Sequence, residues 1–235
     1  GYPRPRSRAG GGVMRLLLIN PNTNAATTET MRAIAARAAP AGTAVIGLTA
    51  RHGAPLITDA AALAVAAGAV ADLVPEIEAI APDAVIVSAF GDPGFDALDA
   101  ALACPVVGIG QAGFLEASAG GRRFAVATTT PDLAASITAM ADGYGHGGSF
   151  LGVALTPGRP EALMADPEAL LEALDRACRE AIFGLGAEAV VIGGGPLGEA
   201  ADRLAPRFAE PIVAPIRAAV RLAAARVAAA RATLS

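Results

Sequence analysis

An internal repeat constrains this chain more than any other feature of its sequence. Three segments, each an apolar strand followed by a turn, recur in the same order about 105 to 108 residues further on. A duplicated unit of this length predicts two halves with the same fold. The matching segments are Arg15–Thr23 with Arg123–Pro131, Asp83–Phe90 with Glu188–Gly195, and Cys104–Gly108 with Glu210–Ala214.

Short apolar runs alternate with alanine-rich stretches in both halves. Strands buried on both faces of a parallel sheet have such runs, and crossover helices connect them. We therefore predict an α/β fold of two pseudo-symmetric halves, each an open, doubly wound parallel sheet, with a cleft between them. The predicted strands are Arg15–Ile19, Thr43–Leu48, Ala84–Ser88, Val106–Ile109, Phe124–Ala127, Ser149–Ala154, Ala189–Ile192 and Ile212–Ala214.

The repeat also sets the predicted domain organisation. The first half comprises residues 14–115 together with residues 215–235, which are expected to form a helix that returns to pack on it. Residues 116–214 form the second half. Residues 1–13 are rich in Arg, Pro and Gly and lack the apolar core of a secretory signal, so we expect a flexible leader there.

The composition excludes several functional classes. The chain has a net charge of −4 and no lysine, so Schiff-base chemistry and anchoring of pyridoxal phosphate have no residue to use. The negative charge does not attract a nucleic-acid backbone, and no such partner is expected. No apolar stretch reaches the roughly 20 residues that span a bilayer, so no membrane association is predicted. Two separated cysteines, Cys104 and Cys178, fit a cytoplasmic location.

Polar turns follow the repeated strands at the predicted cleft. In open parallel sheets, ligands bind outside the carboxyl ends of the strands. Asn20 and Thr23 follow the first strand, and Thr128 and Thr129 stand at the matching place in the second half. We predict that these four residues bind the substrate from opposite sides. Asn and Thr are also common helix N-caps, so simple capping is the alternative interpretation.

The turn Ser88–Gly94 resembles a specific family. Hydantoin and allantoin racemases, of the aspartate/glutamate/hydantoin racemase superfamily, carry Cys-Phe-Gly-Asp-Pro-Gly here, after an opening strand that ends in Asn-Pro-Asn-Thr. This chain keeps Phe90 to Gly94 and has Ala89 in the place of the cysteine. A second family cysteine stands in a Gly-Cys-Ala-Gly turn of the other half, where this chain has Gly194.

The resemblance implies a cofactor-independent enzyme acting on a small carboxylate or cyclic ureide. In the family, one thiolate removes a proton and the opposite thiol delivers one, which Ala89 and Gly194 cannot do. Arylmalonate decarboxylases keep one of the two cysteines and resemble this superfamily. We therefore favour a lyase-like or one-base isomerase reaction over two-thiol racemisation. A ligand-binding protein without catalysis, or a racemase in name only, are the alternatives.

The remaining candidates for proton transfer are Asp92, beside the predicted cleft, and His52, in a loop that approaches the substrate in the family. Each also has a structural interpretation, as a turn residue and as an exposed loop residue. The predicted substrate site further includes Ser88, Ala89 and the backbone of Phe90, Gly91, Gly194 and Gly195, whose N–H groups could stabilise an enolate. No metal site is expected, and the alanine-rich final helix together with the resemblance suggests a homo-oligomer. A glycine motif, Gly108–Gly113, matches the dinucleotide pattern in a poor context.

Overall fold

The computed structural model describes residues 13–233. The predicted leader, apart from Val13, and the last two residues lie outside this range.

The first half contains β1 (Arg15–Asn20), α1 (Ala25–Ala38), β2 (Ala44–Thr49), α2 (Ala60–Ala71), α3 (Val74–Ile80), β3 (Ala84–Val87), α4 (Phe95–Ala101), β4 (Val106–Gly108) and α5 (Ile109–Ala117). The second half contains β5 (Phe124–Thr128), α6 (Ala134–Gly143), β6 (Phe150–Leu155), α7 (Pro160–Ala165), α8 (Pro167–Arg179), β7 (Ala189–Ile192), α9 (Gly198–Leu204) and β8 (Ile212–Val213), and α10 (Pro215–Thr233) follows. Short 3₁₀ turns lie at Ala119–Gly121, Pro131–Leu133, Gly195–Leu197 and Ala205–Arg207, and a π-helical turn at Glu180–Gly184.

The strands form two four-stranded parallel sheets, which confirms the predicted fold class. The first sheet has the order β2-β1-β3-β4 and the second the order β6-β5-β7-β8. Adding four to each strand number of the first sheet gives the second, so each repeated segment occupies the same place in its own half. The inner strands β3 and β7 are buried at every residue, as apolar runs in the interior of a parallel sheet should be.

Most predicted strand boundaries differ from the observed ones by one residue, and β4 shows why. The sequence predicts a strand that continues to Ile109, but β4 ends at Gly108 and Ile109 begins α5. The Asp92 carboxylate accepts hydrogen bonds from the next two backbone N–H groups, those of Gly110 and Gln111. These groups are exposed donors at a helix N-terminus, so a carboxylate placed there fixes the start of the helix.

A shared core joins the halves. One cluster of buried side chains contains Leu16 and Ile86 of the first sheet together with Phe124 and Val191 of the second. Helix α10 packs against α1, α5, β3 and β4 of the first half and adds its buried residues to the same cluster. Burial of apolar surface on this scale is the dominant stabilising contribution to such a fold.

A helix that crosses a bilayer needs about 20 predominantly apolar residues. Between residues 13 and 233, no single helix is both long and apolar enough to cross a bilayer. The pair α2 and α3 meets the criterion of length and composition together, but its two helices meet at an angle of 48°.

Candidate active site

A small cavity of about 80 Å³ lies between the two halves, at the carboxyl ends of both sheets. This is where parallel sheets place their ligands. We call it the cleft cavity. The first half lines it with Asn22, Met31, Leu56, Ile57, Ser88, Ala89 and Phe90. The second half lines it with Thr129, Thr130, Leu133, Pro160, Met164, Gly193, Gly194, Gly195, Pro196 and Leu197.

The β1–α1 turn places one asparagine inside the protein and another at the cavity. The Asn20 amide donates to the side chains of Asn22 and Thr28 and to the Asn24 carbonyl, at 2.8 to 3.0 Å. Its oxygen accepts the Asn22 backbone N–H. The hydrogen-bonding groups of the Asn20 side chain thus hold the turn, and Asn20 does not line the cavity. Asn22 does line it, and its Nδ2 has no hydrogen-bond partner within residues 13–233.

The β5 turn repeats this arrangement with threonines. The Thr128 hydroxyl donates to the Gly193 carbonyl at 2.9 Å and lies 3.0 Å from the Thr130 hydroxyl. Since Thr128 has a single hydroxyl proton, Thr130 must donate to Thr128, and the lone pairs of Thr130 remain for a ligand. Thr129 lines the cavity with a hydroxyl that has no partner in the described chain. Thr128 is fully buried behind them.

The turns that the sequence predicts at the cleft do line this cavity, but not every predicted side chain within them reaches it. Thr129 lines the cavity as predicted, whereas Asn20, Thr23 and Thr128 do not. Thr23 is tied by its backbone N–H to the Ala54 carbonyl. The lining residues that were missed are Asn22 and Thr130. The repeat contains the signal for them, because Asn22 and Thr130 are equivalent positions of the matched segments.

The β3–α4 turn lines the cavity and has unpaired backbone donors. Ala89 and Phe90 line it, and neither of their N–H groups is hydrogen-bonded within residues 13–233. Ser88 also reaches the cavity, although its hydroxyl already donates to the Ile19 carbonyl at 2.6 Å. Gly91 lies outside the lining and packs against Leu63. Two free N–H groups side by side can bind a carbonyl or enolate oxygen.

The facing β7 turn brings the second half into direct contact with the first. A methyl group placed on Gly195 would lie 2.6 Å from the Ser88 carbonyl oxygen and 2.6 Å from the Met31 sulfur. Only a residue without a side chain permits this approach. Gly194 lines the same cavity as Ala89, so the β3–α4 turn and the turn after β7 share one space.

Asp92 lies behind the cavity wall. Besides the two N–H groups of α5, its carboxylate accepts a hydrogen bond from the Tyr144 hydroxyl at 2.9 Å. Burial raises the pKa of Asp92 to about 6, although all three hydrogen bonds act to lower it. Asp92 is therefore the cap of α5, and the geometry lends no support to its predicted catalytic role. Its carboxylate also fills the helix N-terminus that a phosphate would need for the Gly108–Gly113 motif to bind a nucleotide.

The other titratable candidates also lie away from the cavity. His52 is exposed and its Nε2 is 2.9 Å from Asp72, so the structure does not bring it to the predicted site. Cys178 is packed in the core of the second half, and burial raises the pKa of its thiol to about 12. Cys104 packs against the core of the first half, and burial raises the pKa of that thiol as well. Neither thiol lines the cleft cavity.

The lining of the cleft cavity is polar without being charged. None of its side chains ionises near neutral pH, and they offer amide, hydroxyl and backbone groups between apolar walls. Within residues 13–233, no cluster of three or more His, Cys, Asp or Glu residues could hold a metal ion. The site can bind a ligand by directed hydrogen bonds and has no fixed charge to neutralise an anion.

Comparison with known proteins relates this arrangement to enzymes. The chain matches the family described as Asp/Glu/Hydantoin racemase over residues 16–223. It is 29% identical to a hydantoin racemase of Paenarthrobacter aurescens over 219 residues, or 92% of both chains. An allantoin racemase from Klebsiella pneumoniae has 29% identity and a TM-score of 0.86, with 92% of this chain and 89% of that one covered. An allantoin racemase from Pseudomonas fluorescens has 30% identity and a TM-score of 0.85, with 92% of each covered. These similarities confirm the resemblance found in the sequence.

Proposed function

We propose, because the chain belongs to the Asp/Glu/hydantoin racemase family, that this enzyme acts on a small, uncharged cyclic ureide bound in the cleft cavity. The observation that carries the proposal is the uncharged, hydrogen-bonding lining. The hydantoin and allantoin racemases to which the chain is similar are named after ring compounds of this class.

The lining favours a ureide over a carboxylate, which was the other predicted substrate class. A carboxylate buried in this cavity would have no cationic partner there, and burial of an unpaired charge is costly. A hydantoin-type ring instead alternates N–H donors with carbonyl acceptors and carries no charge. Its carbonyl oxygens can accept from the Asn22 amide and the Ala89 and Phe90 N–H groups, while Thr130 can accept a ring N–H.

The size of the cavity supports a small ring. Pockets for drug-sized ligands begin at roughly 300 Å³, and the cleft cavity has about 80 Å³. Residues of both halves enclose it, with Leu56 and Ile57 from the β2–α2 connection and Pro160 and Met164 from α7 in its lining.

The proposed reaction proceeds through an enolate of the ring. Loss of a proton, or of a group such as CO₂ that leaves its bonding electrons behind, from the carbon beside a carbonyl places negative charge on that oxygen, where the N–H groups of Ala89 and Phe90 can bind it. A water molecule takes or supplies the proton, because neither Ala89 nor Gly194 carries an acid or base. A one-base isomerase or lyase-like reaction follows from this scheme, and two-thiol racemisation does not.

Hydrogen exchange in D₂O tests this proposal. We expect the enzyme to catalyse deuterium incorporation at the ring carbon of hydantoin or allantoin, followed by NMR, and to leave malonates and amino acids unchanged. Ligand-induced thermal shifts recorded in parallel would reveal binding without turnover. Exchange of malonates alone would overturn the ureide assignment, and binding of ureides without exchange or product would overturn the proposed reaction.

A pair of isosteric variants links the activity to the cleft cavity. Asn22→Asp keeps the oxygen that holds the turn but replaces the free Nδ2 donor with an anionic acceptor. We expect it to lose ureide binding. Asn24→Asp makes the same chemical change at the N-cap of α1, where aspartate caps equally well, and should bind as the wild type does. Equal effects of the two changes would contradict the assigned site.

A further inference from the structure

The side chain of Leu197 occupies a distinctive place in the cleft cavity. Leu197 ends the Gly195–Leu197 turn, is 3% exposed and donates its N–H to the Gly194 carbonyl at 3.3 Å. The turn thereby folds the leucine back over Gly194. Its side chain packs on the core of the second half and also lines the cavity.

The conformation of Gly194 does not require glycine. Its φ of 176° and ψ of 133° are extended values that any residue adopts. The restriction is spatial, since a Cβ at position 194 would lie 2.7 Å from Leu197 Cδ1 and 2.9 Å from Leu197 Cγ. Leu197 therefore fills the volume that a side chain at position 194 would enter. The space on this side of the cavity is apolar and occupied.

Across the cavity, the first half presents the methyl group of Ala89 in the β3–α4 turn, with Met31 and Ile57 also in the lining. A ring held by the backbone donors of that turn has its substituent-bearing carbon between Ala89 and the opposite wall. We infer that Leu197 is the specificity-determining residue of the site, restricting the group on that ring carbon to hydrogen or a small substituent. This inference rests on the proposed function and adds the size class of its substrate.

Binding of a graded series of rings tests the assignment. Hydantoin, 5-methylhydantoin and 5-benzylhydantoin would be titrated calorimetrically into the full-length wild type, Leu197→Ala and Leu204→Ala. Leu204 is a matched control, because it is buried in the same core cluster but does not line the cavity. Leu197→Ala should improve the dissociation constant of the benzyl compound relative to hydantoin by about tenfold or more. Leu204→Ala should leave that ratio unchanged.

A second measurement needs no ligand, and it tests the contact even if Leu197→Ala lowers the stability of the protein. Gly194→Ala should lower the melting temperature of the wild type and have little effect in a Leu197→Ala background, because that variant lacks the Cγ and Cδ1 atoms that the added methyl group would meet. An equal effect in every background would overturn the inference, as would an unchanged benzyl-to-hydantoin ratio. Failure of all three rings to bind the wild type would instead overturn the proposed function, and the size assignment with it.

Discussion

At the scale of single residues, the first turn of each half has two polar side chains with different roles: one holds the turn and the other lines the cavity. Asn20 and Thr128 point inward and bind the side chain two positions later, at 2.8 and 3.0 Å. Asn22 accepts its bond from Asn20, Thr130 donates its bond to Thr128, and both Asn22 and Thr130 line the cavity. The inner residue fixes the rotamer of the outer one, which preorganises the site for a ligand.

Thr129 is the lining residue whose hydroxyl is free to bond with a ligand, and its removal is a clean test at this scale. Thr129→Val keeps the shape of the side chain and deletes one hydrogen bond, which is worth about 0.5–1.5 kcal/mol, or roughly 2- to 12-fold in the dissociation constant of a ureide. Thr138→Val, on the exposed face of α6, is the control. Calorimetric titration distinguishes them, and equal affinities of the two variants would contradict a role for Thr129.

Sequence reasoning identified the turns of the site but not every side chain, and Asn20 shows why. Its position at the end of a strand predicts cleft exposure, but four hydrogen bonds within the turn bury it. Those bonds depend on how the chain bends after Asn20, which local residue preferences do not specify. Leu197 was missed for a related reason, because its entry into the cavity depends on the 3₁₀ turn that follows Gly194.

At the scale of secondary-structure elements, Asp92 connects the β3–α4 turn to the start of α5. Its φ of 48° is unusual for a residue with a side chain and costs about 1–2 kcal/mol. Three hydrogen bonds to its carboxylate offset this cost. The capping group comes from a turn 18 residues earlier in the chain, so the boundary between β4 and α5 could not be read from the local sequence.

The raised pKa of Asp92 predicts a pH dependence of stability. Its pKa is about 6 in the folded state against 3.8 ordinarily, so the folded state binds this proton more tightly. The stabilisation is complete below pH 3.8 and is lost as the pH rises through 6, a change on the order of 3 kcal/mol. Urea unfolding between pH 4 and 7 should show this decline in the wild type and not in Asp92→Asn. If the difference in the free energy of unfolding between the wild type and Asp92→Asn did not change with pH, the prediction would be refuted.

Tyr144 makes a second prediction about the same cap. Its hydroxyl donates to the Asp92 carboxylate and lowers the pKa of that group, while burial beside Asp92 raises the pKa of the tyrosine itself. Tyr144→Phe removes the donor, so the pKa of Asp92 should rise further above 6. Carboxyl chemical shifts followed through a pH titration measure this directly. An unchanged or lower midpoint in the variant would show that the hydrogen bond does not stabilise the ionised form.

At the scale of the whole molecule, the repeat made the two-sheet fold predictable, because matched segments take the same place in both sheets. The core that joins the halves was harder to predict from the sequence. Leu16 and Phe124 belong to one core, and the buried face of α10 packs against elements of the same chain. The homo-oligomer predicted in part from that alanine-rich helix stays a prediction.

The contact between Gly195 and the Ser88 carbonyl controls how closely the halves approach, and the last prediction concerns it. Gly195→Ala would place a methyl group 2.6 Å from that oxygen, so the halves must separate or the turns must deform. Overpacking of this kind costs about 1–3 kcal/mol. Because Ala89 and Gly194 line the cavity on either side of this contact, ureide binding should be lost together with stability.

Gly148→Ala is the control, since its added methyl group meets no atom within 4 Å. Thermal unfolding and ligand titration of both variants would decide the matter: a Gly195→Ala protein that binds ureides normally would mean that the spacing of the halves does not shape the site.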